Sequence, residues 1–524
     1  MYPGNVAERA PDRPAMIIAE TGQHRTYAEL DERSARLASY FAVRGLQRDD
    51  TVLVVLGNDL IWGEVCWACW RSGLCLGAAN FHLTSAELAP ILEDAAPRAI
   101  VTSRRVLPNL RAAAEQAGLD HGVLWLVVDE TGEPSGPDAA LNYERIIAST
   151  PRDPDLVETV GGRLLFSSGT TGRPKPFRVP PQQIHPSELP VRSGGLMTSL
   201  GFDDTGNVLL VPGPAYHAGP LGFLQSLHQL GGTVVLMQKF DPEGALAAIE
   251  RYRVTHSQWV PTMFVRLLRL PAEVRHRYDL SSHRVAVHAA APCPPEVKRE
   301  MLTWWGPIVH EYYGASEGYG RTTIGPEEWL AHPGSVGRSV QSTVHIADES
   351  GRLLPTGQVG AVWFAKPDAE EPERAADGTA DLAATPGWGT VGDLGYLDDD
   401  GFLYLTGRQG QTIITGGVNV YPREVEDLLA PHPKVDDIAV LGVPDPEFGE
   451  QVKAVVVPAD GSEPGPSLAD ELITYCRERL AHFKCPKSVD FTDSLPRTDT
   501  GKIRHKPLRD QYWSVASSQP TRST

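Results

Sequence analysis

Cysteine is scarce, with six residues in 524, too few for a disulfide framework to staple a chain of this length. Long apolar runs are missing too. No stretch reaches the roughly 18 consecutive apolar residues of a membrane-spanning helix, so no membrane span is expected. Basic charge is in the minority: 48 Lys and Arg face 66 Asp and Glu, a net charge of −18. A general nucleic-acid or anionic-membrane binder needs a basic footprint, and the balance here runs the other way. Residues 1–14 are polar and carry Pro3, Pro11 and Pro14, without the basic-then-apolar order of a secretory leader. There is no H-E-x-x-H zinc pattern and no internal repeat. These absences leave the expectation of a soluble, cytoplasmic, multidomain enzyme, of about three or four folding units at roughly 150 residues each.

The chain then alternates helix and strand. Thr26-Tyr27-Ala28-Glu29 is a capping box, with Leu30, Leu37 and Phe41 following at helical spacing. Thr51 to Leu56 reads as a buried strand, Ala86 to Glu93 as a helix, and Ala99 to Thr102 as a strand. Such alternation predicts parallel α/β sheets. Pro174 to Gly195 and the acidic Lys366 to Gly387 read as loops. Phe402 to Thr406 predicts a short strand, and Gly407 to Gly417 a glycine-spotted turn. The last hundred residues form a set of their own. Pro422 suits the first position of a helix carrying Val425, Leu428 and Leu429. Strands are predicted at Ile438 to Val443 and Val452 to Val457. Ser467 with Asp470 predicts the cap of a helix bearing Leu468, Leu472, Ile473, Cys476 and Leu480. The tail after Trp513 is rich in Ser, Thr, Pro and Gln and reads as disordered.

The strongest chemical signal is Ser167-Ser168-Gly169-Thr170-Thr171-Gly172-Arg173-Pro174-Lys175, which leaves the strand-like Arg163 to Phe166. Glycines let backbone N–H groups approach oxyanions, hydroxyls donate, and lysine adds charge, so the string can cradle phosphates. It is not the P-loop, which requires G-x-x-x-x-G-K-[ST].

This string resembles the phosphate-loop signature of the adenylate-forming superfamily, which holds acyl-CoA synthetases, peptide-synthetase adenylation domains and firefly-type luciferases. Further signatures recur in order across nearly the whole chain. Pro214-Ala215-Tyr216-His217 resembles the aromatic/His motif near the acyl carboxylate, and Ala289-Ala290-Ala291-Pro292 the adenine-pocket turn. Tyr312-Tyr313-Gly314-Ala315-Ser316-Glu317 contains a Y-G-x-T-E-like motif with serine in place of the commoner threonine. Thr390-Val391-Gly392-Asp393 resembles the ribose-binding T-G-D, and Arg408 begins the hinge motif. Gly416-Gly417-Val418-Asn419-Val420-Tyr421-Pro422 resembles the thiolation turn, and Pro496-Arg497-Thr498-Asp499-Thr500-Gly501-Lys502 the catalytic-lysine motif. The run from Ala289 to Glu317 looks most like bacterial fatty-acyl-CoA synthetases.

The resemblance implies an α/β fold with a β-rich third subdomain. It implies a large domain over residues 1–406, a hinge at 407–410, a small mobile α+β domain over 411–512, and a tail from 513. It implies an ATP-dependent acid:CoA ligase with ATP, Mg²⁺ and CoA, acting on a small carboxylic acid, and it leaves a homodimer open. Tyr313 can stack on a purine, since ring and base bury apolar faces together. Glu317 suits Mg²⁺ held jointly by one carboxylate and phosphates. Ser316 keeps a hydroxyl for phosphate. Asp393 can accept from ribose hydroxyls and Arg408 can donate to the same sugar. Lys502 can neutralise charge building between the carboxylate and the α-phosphate, and His217 flanks that carboxylate. Ala218, Gly219, Trp259, Thr262, Met263, Tyr319 and Gly320 are expected around an apolar or aromatic acid.

The chain departs from the family pattern at Gly410, where a charged hinge residue is usual, and at Pro176, where glycine is usual. Glycine widens the accessible φ/ψ range, which eases rotation at a pivot. The unusual hinge keeps another acceptor open, a carrier-protein thiol or an amine, or a non-carboxylate acid such as nitrite. A non-catalytic binding protein is opposed by the retained Lys502, Glu317 and Asp393. Gly314-Ala315-Ser316-Glu317-Gly318 fits the hydrolase elbow G-x-S-x-G, but Tyr319 to Pro326 is no helix start. Gly387 to Gly392 fits G-x-G-x-x-G without a strand before it or a helix after it. Cys66 and Cys69 form C-x-x-C in a Trp-rich helical run, which reads as core.

Overall fold

Thr51–Val55 is buried at every position, as a run of β-branched and apolar residues inside a parallel sheet should be. It belongs to a computed structural model of the chain that describes residues 2–119, 122–128, 141–167, 175–191, 194–203, 206–291, 293–314, 318–339, 342–415, 418–445, 448–498 and 501–517. Two compact units result, residues 1–259 with 270–286, and residues 260–269 with 287–524.

The first unit is built on parallel sheets. One has seven strands in the order Leu141–Asn142, Leu124–Val128, Ala99–Ser103, Thr51–Val55, Cys75–Ala78, Gly162–Ser167 and Lys175–Val179. All neighbours are parallel except the last pair. Helices Ile61–Arg71, Ser85–Ala95 and Leu107–Gln116 connect its strands. The capping boxes at Thr26 and Thr84 are formed, each side chain accepting from the N–H of the glutamate three residues on. A second run of strands places His256–Trp259, Val208–Val211, Thr233–Leu236, Pro14–Ile18 and His24–Thr26 side by side.

The helix Ile61–Arg71 is buried on all sides, including Trp62, Trp67 and Trp70. Cys66 and Cys69 lie within it, and burial pushes the Cys66 thiol up to about 12, so the C-x-x-C is core. Glu64 is also fully buried. It accepts from Arg25 Nε at 3.0 Å, Arg33 Nε at 2.8 Å and the Tyr143 hydroxyl at 2.9 Å. Three donors on one carboxylate offset a desolvation that an unpaired charge would not survive.

In the second unit, Val309–Gly314 and Arg321–Ile324 form an antiparallel hairpin. A five-stranded antiparallel sheet follows, with Thr343–Ala347, Gly360–Ala365, Asp393–Leu397 and Leu403–Arg408 in order and Trp388–Gly389 beside Gly360–Ala365. The last hundred residues make a sheet of Val418–Val420, Ile413–Thr415, Gly449–Pro458 and Val435–Asp445, with Ser488–Phe491 parallel to Gly449–Pro458. Alternation along Val435–Asp445 serves two cores. Ile438 and Val440 face the helices Pro422–Leu429 and Pro466–Arg477, while Ala439, Leu441 and Val443 face Leu508 of the helix His505–Ser517. The fold is α/β with a β-rich sheet in the second unit. Among the described residues, no helix is long and apolar enough to cross a membrane.

Four local expectations change. Lys175–Val179 is a strand, although the stretch Pro174 to Gly195 reads as loop. It is the outer strand of its sheet, where a missing N–H need not cost a ladder bond. The turn expected from Gly407 to Gly417 contains the strand Ile413–Thr415, paired with Val418–Val420. Ser467 does not cap the helix that follows: Gly465 is the N-cap and Pro466 the first helical residue, because proline's fixed φ suits that position. The helix His505–Ser517 continues past Trp513 into the stretch expected as a tail. Trp513 Nε1 donates to the Gly442 carbonyl at 3.2 Å.

Replacing Glu64 by Ala leaves Arg25 and Arg33 without their buried counter-charge. We expect a loss of roughly 3–5 kcal/mol, measured by urea unfolding with Trp62, Trp67 and Trp70 as fluorescence reporters.

Candidate active site

Asp393 and Arg408 are fifteen residues apart in sequence, and the antiparallel ladder sets them directly opposite each other. Asp393 is buried. Its Oδ1 accepts from Arg408 Nε at 2.7 Å and its Oδ2 from the Tyr313 hydroxyl at 2.6 Å. Three separate motifs thus converge on one carboxylate. The Thr390 hydroxyl shapes the approach by donating to the Val362 carbonyl at 2.7 Å and accepting from the Gly392 N–H at 3.1 Å. The Tyr313 ring lies 6.1 Å from that of Phe364, and the Arg321 guanidinium 5.8 Å from the Tyr312 ring. Gly314 ends the strand, exposed.

Ala289, Ala290 and Ala291 follow the strand Val285–His288. Ala290 has φ +77°, a left-handed conformation that costs an L-residue about 1–2 kcal/mol. Nothing in the residue type announced this strain. Tyr319 lies against Gly389, where a Cβ would meet the ring's Cδ1 at 2.0 Å, and a Cβ on Gly320 would strike Phe364.

Lys502 is exposed on a tight turn. The Gly501 N–H donates to the Thr498 carbonyl, the Thr498 N–H to the Lys502 carbonyl, both at 2.8 Å, and the Lys502 N–H to the Thr498 hydroxyl at 3.1 Å. Arg497 explains the arginine of this motif. Its Nε donates to Asp437 Oδ2 at 2.7 Å while Nη1 donates to the Gly501 carbonyl, tying the turn to the sheet. His505 stands nearby, and burial, reinforced by the positive charges of Arg497 and Arg408, lowers it to about 4. The turn rests on the helix Pro261–Leu268: a Cβ on Gly501 would stand 2.6 Å from the Thr262 hydroxyl. At the other end of that helix, Arg269 Nη2 donates to the Asp436 carbonyl at 2.8 Å. Met263, on the same helix, is buried. Thr262 and Lys502, 240 positions apart, therefore belong to one neighbourhood. Gly410 lies in the turn after Arg408, and its carbonyl accepts from Arg509 Nη1 at 3.0 Å.

His217, Ala218, Gly219 and Trp259 belong to the first unit. His217 is the N-cap residue of the helix Ala218–Leu230, its ring 4.4 Å from that of Tyr216. Asn58 holds the loop before it, a role its sequence position did not suggest. Its Nδ2 donates to the carbonyls of Met237 at 2.6 Å and Gly213 at 3.0 Å, and its Oδ1 accepts from the Ala215 N–H at 2.7 Å. Trp259 Nε1 donates to the Ser257 hydroxyl at 2.5 Å, which contacts His283 Nε2 at 2.6 Å. Burial lowers His283 to about 3, so its ring is neutral.

Ser168, Gly169, Thr170, Thr171, Gly172, Ser316, Glu317, Gly416 and Gly417 lie outside the described residues, and for Ser167 and Lys175 only the backbone is described. The flanks still decide one question. The segment after the G-x-S-x-G match is the strand Arg321–Ile324, antiparallel to Val309–Gly314, so the strand-to-helix elbow of a hydrolase is not built.

Residues 5–369 match the family described as AMP-binding enzyme, and residues 424–502 match the AMP-binding enzyme C-terminal domain. The chain belongs to the AMP-binding enzyme family and is an AMP-forming ligase. It is 33% identical over 516 residues to a feruloyl-CoA synthase from Amycolatopsis, covering 95% of this chain and 96% of that one. It is 30% identical to a fatty acid–[acyl-carrier-protein] ligase from Streptomyces coeruleorubidus, covering 97% and 95%. The structure of o-succinylbenzoate CoA synthetase from Bacillus subtilis, in complex with its acyl-adenylate intermediate, is similar at a TM-score of 0.77 and 26% identity, covering 97% of each chain.

Gly501→Ala has to displace the lysine turn, through φ +77° and the contact with Thr262. We expect ATP–pyrophosphate exchange with a panel of aryl and fatty acids to fall by about tenfold or more, and Gly501→Ala with Thr262→Ala to recover part of it.

Proposed function

We propose that the chain activates an apolar or aromatic carboxylic acid as its acyl-adenylate, releasing pyrophosphate, and then passes the acyl group to the thiol of CoA. The observation that carries this reading is the Asp393 carboxylate, shared by Tyr313 and Arg408 at 2.6 and 2.7 Å. An aromatic face, a carboxylate and a guanidinium so grouped suit a nucleoside, with Asp393 and Arg408 able to exchange their mutual contact for ribose hydroxyls. Ala289, Ala290 and Ala291 with Tyr312, Tyr313 and Gly314 form the base slot. Ser167 to Lys175 hold the β- and γ-phosphates, with Ser316 as a further hydroxyl. Glu317 would hold Mg²⁺, which would supply positive charge at the ATP phosphates. One carboxylate plus phosphate oxygens needs no cluster of acids, and none of three or more His, Cys, Asp or Glu occurs among the described residues.

His217 flanks the acid's carboxylate, and Lys502 neutralises the charge that builds as that carboxylate attacks the α-phosphate. Trp259, Ala218 and Gly219, with Thr262, Met263, Tyr319 and Gly320, surround the acid; most are apolar or aromatic, which favours an acid of that kind. In the second step the domain of residues 411–512 turns about Gly410, Lys502 leaves, and the Gly416–Gly417 turn lines the thiol path to the adenylate held by residues 1–406. A second acceptor, a carrier-protein thiol, is favoured by the likeness to the carrier-protein ligase from Streptomyces coeruleorubidus.

Lys502→Ala is expected to slow adenylation by about a hundredfold or more, while thioester formation from supplied acyl-AMP is largely spared. Pyrophosphate exchange and single-turnover CoA ester formation, with ferulate, cinnamate, octanoate and palmitate, measure both steps. Equal loss of the two contradicts the two-step picture. Adenylation without any CoA ester from the panel favours the carrier-protein acceptor.

A further inference from the structure

Lys298, on the helix Pro295–Trp305, is fully buried, a place lysine almost never occupies unless paired. Its Nζ donates to Glu311 Oε2 at 2.7 Å and lies 4.9 Å from the centre of the Trp329 ring. His288 Nε2 stands 3.4 Å from the same carboxylate oxygen, and Phe264 packs edge-on to the His288 ring at 5.4 Å. Glu311 is itself buried. Burial pushes its carboxyl up, yet Lys298 beside it holds it below the usual range. Burial lowers His288 to about 3, so its ring is neutral beside the ion pair.

Three segments meet on this carboxylate. His288 is the last strand residue before Ala289, Glu311 is two residues before Tyr313, and Lys298 is on the helix that follows the alanine turn. The strands Val285–His288 and Val309–Gly314 are neighbours in one sheet, and the Lys298–Glu311 contact ties the helix after the alanine turn to the second of them. Apolar side chains of the same volume can stabilise a core as well as a buried ion pair or better, so stability alone does not call for these charges. The left-handed Ala290 adds to the argument, because such strain persists only where the surroundings over-determine it.

We propose that Lys298, Glu311 and His288 are positioning residues for the nucleotide base: the buried pair sets the separation between Ala289–Ala291 and Tyr313, and so the preference for adenine. This rests on the reading of those segments as the base slot. The test is calorimetric titration of the full chain with ATP and with GTP. Lys298→Met is expected to raise the Kd for ATP by about tenfold and to shrink the ATP-over-GTP preference by a similar factor. Lys298→Arg, which keeps the charge, should recover much of that preference. A folded Lys298→Met with a lower thermal midpoint but an unchanged preference overturns the proposal. Tyr313→Ala is titrated in parallel. If it leaves the Kd for ATP unchanged, the base-slot reading fails and takes the proposal with it. If it weakens ATP and Lys298→Met does not, only the positioning role fails. Should Lys298→Met not fold, Lys298→Met with Glu311→Leu removes both charges and is scored by the same preference.

Discussion

Burying a carboxylate is costly unless donors surround it, and in the second unit that condition organises the candidate site. Asp393 meets it with two donors from two directions, Tyr313 on one strand pair and Arg408 on another. The same strand that carries Arg408 also seats the C-terminal set. Arg423, on the helix Pro422–Leu429, donates from Nη1 to the Leu405 carbonyl at 3.2 Å, and Gln409 ties back to the Gly392 carbonyl at 2.8 Å. The ladder register that fixes Asp393 against Arg408 therefore also fixes where the chain leaves for its last hundred residues.

Net charge and local charge diverge. The chain carries −18 overall, yet Arg408 and Arg497 both act on His505 strongly enough to help keep it neutral. Lys502 adds its ammonium on a turn that Arg497 itself braces. Basic side chains can thus act locally in an acidic protein, because at physiological salt exposed charges beyond about 8 Å are largely screened.

Legibility followed the range of the interaction. Periodicity and caps are local, so the helix capped at Thr26, the helix over Ala86 to Glu93 and the buried strand Thr51–Val55 could be read directly. The motif string, in its order along the chain, was enough to name the family. What could not be read were pairings between distant residues. Asn58 carries no signature, yet it clamps the loop before His217. Lys298 and Glu311 look like ordinary surface charges in sequence and are buried together. The strand at Lys175–Val179 was hidden by the prolines and polar residues of Pro174 to Gly195, since sequence alone does not say which strand is outermost. Gly465 and Pro466 competed with Ser467 for the helix start, and proline's fixed backbone prevailed.

The helix Pro261–Leu268 carries one more implication. Thr262 touches the lysine turn through Gly501, and Arg269 just beyond the helix grips Asp436. A side chain of different bulk at position 262 would be felt at the lysine turn as well as in its own surroundings. Evolution could not change this side chain without also retuning how the turn seats. Innovation here is pleiotropic, and compensating changes are to be sought near Gly501 and Asp436 rather than beside the altered residue.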